Sequence, residues 1–313
     1  MRGLFKRGGA HEPGWLAISL QPGALHFAHG VGGPAGKSAI KRCGTHSLSD
    51  DRQLDHIVKE LGFHRHQCLS LLASSDYQLL LVEAPNVPPA ELKTAVRWRI
   101  KDMLDYHIED ATIDVLDIPA DPGGASRAHS MYAVAAKNEV IQGCIERFTA
   151  ARIPLSVIDI AETAQRNIAA LLEPADRGAA LLYVDTSHAL LTINFRGELY
   201  LARRIDVGLD QLGNAAGASH DEGMNRILLE LQRSFDHLDR QFPFVGVAKL
   251  LLAPTPSDTG LRAYLSGNLD IPVEEVRFGE MLNLAPEVQL DGEAAWRLFH
   301  VVGAALRYEA KAL

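Results

Sequence analysis

The chain has 313 residues, of which 47% are hydrophobic and 22% are charged, so it can bury a sizeable core and is expected to divide into two lobes. Its formal net charge of -8 argues against a broad nucleic-acid surface, which needs clustered positive charge. Three dispersed cysteines without a CxxC pair favour reduced thiols in a cytosol, and no apolar segment reaches membrane-span length, so we expect a soluble, cytoplasmic protein.

The first part of the chain predicts three strands, a helix and a fourth strand. The strands cover 15–20, 24–28 and 37–43, the helix runs from Asp50 or Asp51 to Leu61, and a buried strand covers 67–73. Residues 30–38 imitate a phosphate-binding P-loop. A strand-like run follows them where a P-loop opens a helix, so a hairpin loop is predicted instead.

The same order of elements returns in the second part of the chain. Two strands lie within 178–191, a third covers 198–205, a helix covers 224–242 and a further strand covers 249–253. Two copies of one arrangement predict a duplicated α/β fold with a cleft between its halves.

Residues 83–132 have a different character and predict a small inserted subdomain. They contain an amphipathic helix reaching about Leu104, a strand over 111–118, a polar turn over 120–127 and a strand over 130–136. Trp98 lies off the apolar stripe of that helix, and would either anchor a partner or pack onto a neighbouring subdomain. A single final helix is predicted over 294–308, with Leu298, Val301, Val302 and Leu306 at helical spacing.

Several stretches resemble one known family. They are residues 77–85, 87–92 and 95–102, the helical stretch 230–236 and the closing Gly-Ala-Ala-Leu-Arg at 303–307. In order and spacing they resemble the MshI proteins of MSHA-type pilus biogenesis, which are relatives of the actin-like pilus assembly protein PilM and of the cytoplasmic domain of the type II secretion protein GspL.

The resemblance implies an actin-like (RNase H-like) ATPase fold of the α/β class, with two duplicated lobes and an FtsA-type small subdomain inserted in the first. The implied division is a first lobe over 1–82 and 133–177, the insert over 83–132, a second lobe over 178–293, and a final helix over 294–313 that packs between the lobes.

The resemblance also implies a non-catalytic adaptor of an inner-membrane type IV (MSHA-type) pilus assembly platform. Its partner would be a bitopic membrane protein, PilN-like or MshJ-like, held through a short N-terminal cytoplasmic segment beside the insert. A cytoplasmic assembly motor is a further implied partner, and the location is cytoplasmic, peripheral to the inner membrane. The alternative is a nucleotide-switched ATPase of the same machinery that retains ATP binding.

The nucleotide loops implied by the resemblance are altered. The first loop reads Ser19-Leu20-Gln21-Pro22, with His26 at the lysine position, and Pro22 has no amide hydrogen for a phosphate. The second loop keeps Asp185 at a strand end, but Ser187 replaces its glycine and His188 follows. The adenosine loop reads Ala253-Pro254-Thr255-Pro256 in place of Gly-Gly. No catalytic residue and no bound metal are expected, and ATP is expected to bind weakly at best.

The candidate cleft residues, Asp185, Ser187, His188, Glu230 and Arg233, have open alternatives. Asp185 would bind a residual metal ion or accept backbone amides in a tight turn. Glu230 and Arg233 would contact nucleotide or form a surface pair three residues apart, which is the favoured interpretation. His64, His66 and Cys68 alternate in sequence, so they could lie on one face of a strand and bind zinc. Because the sequence offers no fourth ligand at a matching spacing, a polar start to the strand is the favoured interpretation.

Overall fold

The computed structural model of the protein describes residues 12–33, 36–120, 129–213 and 217–307. Strands in these ranges form sheets of six, five and three strands. Within the same ranges, no helix combines the length and the apolar character needed to cross a membrane.

The first half opens with an antiparallel meander followed by a helix and a parallel strand. These elements are β1 (Glu12–Gln21), β2 (Ala24–Gly33), β3 (Gly36–Ser47), α1 (Asp51–Leu61) and β4 (His66–Leu71). The side chain of Asp50 caps α1 by accepting from the Gln53 amide at 2.8 Å, and Gly62 ends it with a φ of 68°. Gly33 pairs with Gly36, so the P-loop-like segment is a hairpin, as predicted, although residues 34 and 35 lie outside the described ranges.

A separate three-stranded sheet follows. Its elements are β5 (Tyr77–Glu83), α2 (Pro89–Ile100), β6 (Ala111–Asp117) and β7 (Ser130–Lys137), with the strand order β5-β7-β6. Val96 and Ile100 pack α2 against one face of this sheet. The sheet begins at residue 77 and ends at 137, which is wider than the predicted 83–132, because β5 pairs along its whole length with β7.

The end of α2 and the exposure of Trp98 can be compared with the sequence prediction. The helix ends at Ile100 and not near Leu104, because the Met103 amide bonds the Ile100 carbonyl in a turn that still keeps Leu104 on the apolar side. The Trp98 side chain is 64% exposed and so does not pack onto a neighbouring part of the described chain. Most of the predicted polar turn, residues 121–128, lies outside the described ranges.

The chain then returns to the first sheet and crosses to the second. The connecting elements are α3 (Asn138–Ala150), β8 (Leu155–Asp159) and α4 (Ala161–Leu172), and β8 pairs in parallel with β4. The six-stranded sheet ends at β8, so β8 is an edge strand.

The second half repeats the first. Its elements are β9 (Gly178–Val184), β10 (Ala189–Phe195), β11 (Glu198–Ile205), α5 (Leu209–Leu212), α6 (Ala218–Gln241), β12 (Val247–Leu252), α7 (Leu261–Asn268) and β13 (Val273–Glu275). The order β11-β10-β9-β12-β13 matches β3-β2-β1-β4-β8 in the first sheet, with the same parallel and antiparallel pairings. The predicted duplication is therefore confirmed. Helix α6 starts at Ala218, before the predicted residue 224. The sequence did not predict this start because the first turn of the helix is polar and shows no apolar periodicity.

The chain ends with α8 (Phe278–Met281), β14 (Asn283–Leu284), α9 (Gly292–Arg297) and α10 (Phe299–Ala305). The prediction of one helix over 294–308 is wrong, because the backbone leaves helical geometry at Leu298, where φ is -95° and ψ is 3°. The break lets Trp296 donate to the Val184 carbonyl at 2.8 Å while Phe299 stacks on Tyr183. Residue 308 lies outside the described ranges, and the division of the chain into domains stays a prediction.

Helix α10 lies between the two large sheets and packs against α4 and β1. It lies close against α4 at Gly303, where an added Cβ would collide with the Ala164 carbonyl oxygen and lie 2.9 Å from Ile168 Cδ1. The absence of a side chain at residue 303 thus sets the spacing of the two helices.

We expect Gly303→Ala to lower the free energy of unfolding by about 1–3 kcal/mol, since the overpacking exceeds the usual gain from alanine in a helix. The matched control is Gly143→Ala in α3, where an added Cβ meets nothing within 4 Å, and it should raise stability by about 1 kcal/mol. Urea denaturation at pH 7 measures both, and similar effects of the two substitutions would contradict the packing described.

Candidate functional site

A cavity of about 400 Å³ lies between the two halves of the molecule. The first half contributes the end of β1, the turn after it and the segment after β4, while the second half contributes the turn between β9 and β10 and the end of β11. The polar or aromatic side chains that line it include Ser19, Gln21, His26, Ser74, Tyr183, Asp185, Thr186, His188, Arg204, Trp296, Arg297 and His300.

The turn that carries Asp185 is closed on itself. The Asp185 amide donates to the His188 carbonyl at 2.7 Å, and the Asp185 carboxylate accepts from the Thr186 amide at 2.8 Å. Behind the turn, the backbone of Gly208 lies so close to Thr186 and Ser187 that no Cβ would fit. The carboxylate therefore already serves the tight-turn role that the sequence left open.

The first loop offers a phosphate neither an amide hydrogen at Pro22 nor a positive charge at His26. Pro22 lines the cavity without an amide hydrogen. The imidazole of His26 lies 2.9 Å from the Thr45 hydroxyl, and burial, assisted by the charge of Arg297, lowers its pKa to about 4. The position that the family resemblance assigns to a lysine therefore carries a neutral ring at pH 7.

Two further histidines border the cavity and are also biased towards their neutral forms. Burial, assisted by His188, lowers the pKa of His300 to about 3, and its ring lies 4.3 Å from that of Tyr183. Burial likewise lowers the pKa of His188. Protonating these rings inside the cleft is costly, so they add no positive charge near neutral pH.

The two arginines at the cavity have protein partners. Arg204 on β11 donates to the Ser74 carbonyl at 2.8 Å and so links the second half to the segment after β4. Arg297 pairs with Glu293 and lies over the Trp296 ring. Both guanidinium groups are thus held by the chain itself.

Glu230 and Arg233 lie outside the cavity lining. Glu230 accepts from Arg233 at 2.8 Å and from Arg203 at 3.1 Å, which forms a partly exposed ion cluster on α6 and β11. Ser187 is exposed beside the cavity, and the 253–256 segment also lies outside its lining. The structure brings Asp185, Ser187 and His188 together in one turn, where the Ser187 hydroxyl lies 3.3 Å from His188 Nδ1, and it leaves Glu230 and Arg233 apart from them.

The sequence did not single out Arg204, Trp296, Arg297 and His300 as cavity residues. Trp296 and His300 are four residues apart, which is helical spacing, and that is the one local signal for a shared surface. Arg204 reaches the cavity through the packing of the two halves, which no local pattern encodes.

The zinc interpretation of the alternating residues 64–68 is wrong. His64 lies exposed in a short 3-10 helix, Phe63–Arg65, whereas Cys68 is buried in the apolar core. The Cys68 thiol donates to the Phe63 carbonyl, and burial raises its pKa to about 12.

A buried carboxyl group connects the three-stranded sheet with the cavity. The Tyr77 hydroxyl donates to Glu162 in the first turn of α4 at 2.6 Å, and the Ala161 amide next to it donates to the Tyr77 oxygen at 3.3 Å. Burial raises the pKa of Glu162, opposed by its bond to Tyr77. Ala161 lines the cavity, so this contact joins β5 to the cavity wall.

No family model and no curated protein matches this chain. Among solved structures, a PilM-PilN type IV pilus biogenesis complex matches with a TM-score of 0.71 at 19% identity, over 96% of this chain and 98% of that one. The cytoplasmic domain of EpsL, an inner-membrane component of the type II secretion system of Vibrio cholerae, matches with a TM-score of 0.50 at 13% identity, over 94% and 96%. Likeness at these identities shows the fold, and the predicted actin-like ATPase fold is confirmed.

We expect the purified chain to show no appreciable ATP turnover, and to bind Mg-ATP with a dissociation constant on the order of millimolar or weaker. The reason is that Pro22 has no amide hydrogen to offer a phosphate, that a neutral His26 stands at the lysine position, and that Ser187 replaces the glycine of the second loop. Calorimetric titration checks this, and micromolar affinity that disappears in Asp185→Ala would contradict it.

His26 should also make stability depend on pH. Its pKa is about 4 in the folded protein against 6.5 for an unperturbed histidine, so the unfolded chain binds the proton first as the pH falls from 6.5 to 4. Within that window the folded state should lose about 1 kcal/mol per pH unit through this group. Urea denaturation from pH 7 to pH 4.5 should show a shallower decline for His26→Asn than for the wild type. The exposed His64→Asn is the control and should follow the wild type.

Proposed function

We propose that the protein is a non-catalytic, actin-like adaptor of a type IV pilus assembly platform. The observation that carries this proposal is the state of the cleft, whose carboxylate and arginines are bonded by the protein itself. These bonds hold the polar side chains of the cleft in place without a nucleotide and occupy part of their hydrogen-bonding capacity. The fold shared with PilM in a PilM-PilN complex supports a role in the same kind of machinery.

The proposed partner is the N-terminal cytoplasmic segment of a bitopic, PilN-like membrane protein. The MSHA-type system, a MshJ-like partner and a cytoplasmic assembly motor remain parts of this proposal that rest on the sequence resemblance. The protein would then sit in the cytoplasm, held at the inner membrane through its partner.

The proposed place for such a segment is the apolar junction between the three-stranded sheet and the first large sheet. The face of the small sheet opposite α2 meets α3 and the edge strand β8. Partly buried apolar side chains line this junction: Leu79, Leu116, Val134, Val140, Ile141 and Ile158. An extended peptide could pair with an open strand edge by backbone bonds and complete the burial of these side chains.

The nucleotide switch remains the alternative function. Asp185 and His188 do line the interlobe cavity, and Arg204 connects the two halves next to them, so a ligand there would touch both halves. Micromolar Mg-ATP affinity together with a nucleotide-dependent change in partner binding would favour this alternative.

Ile141→Glu should weaken binding of the partner's N-terminal peptide at least about tenfold, because it places a charge among the apolar side chains of the junction. Ile145→Glu is the matched control, since Ile145 is on the same helix, is 47% exposed and lies outside the junction cluster. Fluorescence anisotropy with the labelled peptide measures both variants.

Asp185→Ala should leave peptide binding unchanged, because the cleft has no part in it. Circular dichroism establishes that each variant is folded. Equal peptide affinity for Ile141→Glu and Ile145→Glu in folded proteins would contradict the groove assignment.

A further inference from the structure

One carboxylate and two imidazoles meet where β1, β2 and β4 lie side by side, away from the interlobe cavity. Glu12 pairs with His66 across β1 and β4, and His29 comes from β2 on the other side of β1. Each offers one ligand atom, and these atoms all lie within 4.8 Å of one another. We propose that Glu12, His29 and His66 bind a divalent transition-metal ion of the zinc type.

The donor set suits such an ion. Two imidazole nitrogens and one carboxylate oxygen, completed by water, form a common zinc environment. The His66 Nε2 and Glu12 Oε2 atoms are 3.9 Å apart. The centroids of the His29 and His66 rings are 4.4 Å apart, and the angle between the ring planes is 62°. Tetrahedral coordination needs donors about 3.4 Å apart, and the half-exposed Glu12 side chain can make the small approach required.

The hydrogen-bond geometry of His29 also fits, since a metal ion binds the neutral form of an imidazole through its lone pair. His29 Nε2 lies 3.0 Å from the Pro13 carbonyl, which can only accept a hydrogen bond. Its Nε2 therefore carries the hydrogen, and Nδ1 keeps the lone pair, as in histidine ligands oriented by a backbone carbonyl.

Arg42 is the competing group. One of its nitrogens lies 3.2 Å from His66 Nε2 and also donates to the Leu61 carbonyl at 3.0 Å. A metal ion at Nε2 must displace it from His66, while the bond to Leu61 can remain. Glu287 and Lys41 line the opening beside the site, a space of about 350 Å³ that can admit water and the ion, and the charge of Glu287 opposes part of the positive charge of Arg42 and Lys41.

The test uses the untagged full-length chain, stripped with a chelator and titrated calorimetrically with zinc chloride. We expect one ion per chain and a rise in the melting temperature with zinc, since an ion bound to the folded state stabilises it. Glu12→Gln, at a half-exposed position, should weaken binding about 100-fold or more, while the exposed His64→Gln should bind as the wild type does. Cobalt in place of zinc should give visible absorption bands without a thiolate charge-transfer band.

Arg42→Met supplies an independent arm. Removing the competing guanidinium should tighten zinc binding about tenfold, whereas it would have no such effect on an ion held elsewhere. The proposal is overturned by any of three results: no zinc binding, binding unchanged by Glu12→Gln in a folded protein, or a cobalt spectrum with thiolate bands.

Discussion

The contact between α4 and α10 is the constraint on which the rest of the structure depends. The two helices touch where Gly303 meets the Ala164 carbonyl, and the Asn167 side chain donates to the Gly303 carbonyl at 3.0 Å. Helix α10 packs on β1 and β2, whereas α4 packs on β10 and β11. This pair of helices therefore fixes how the two sheets face each other, and with it the width of the cleft between them.

Side-chain bonds of the protein itself join the two halves at the cleft. Arg204 of the second half bonds the segment after β4, and the Gln165 side chain of α4 accepts from Thr192 on β10 at 2.9 Å. On the side of the first large sheet, Arg307 after α10 pairs with the buried Asp159 at the end of β8 at 2.9 Å. The end of α10 is therefore tied to the first sheet, while Arg204 ties the second half to the same sheet.

Periodicity and local stop signals predicted three features of the fold. They are the repeat, helix α1 with its two caps, and strand β11. The break at Leu298 was not, because apolar spacing continues through it and only the separate partners of Trp296 and Phe299 require it. Asp185 was recognisable as a strand-end carboxylate. In contrast, sheet order and the packing of the halves assemble Arg204 and the Glu12, His29 and His66 cluster, and these leave no trace in local spacing.

The small sheet is anchored to both halves of the molecule. Tyr77 on β5 bonds Glu162 at the start of α4, while the Tyr132 hydroxyl on β7 accepts from the Ala202 amide of β11 at 3.0 Å. Both hydroxyls are buried, and burial raises the pKa of each, so they stay protonated at pH 7 and both anchors persist. A peptide bound to the small sheet would therefore contact an element that is hydrogen-bonded to both halves of the molecule. If the affinity for the peptide depends on the geometry of the cleft, linkage requires the peptide to change the affinity of any cleft ligand by the same factor. The two tyrosine anchors thus give a physical route from the small sheet to the interlobe cavity.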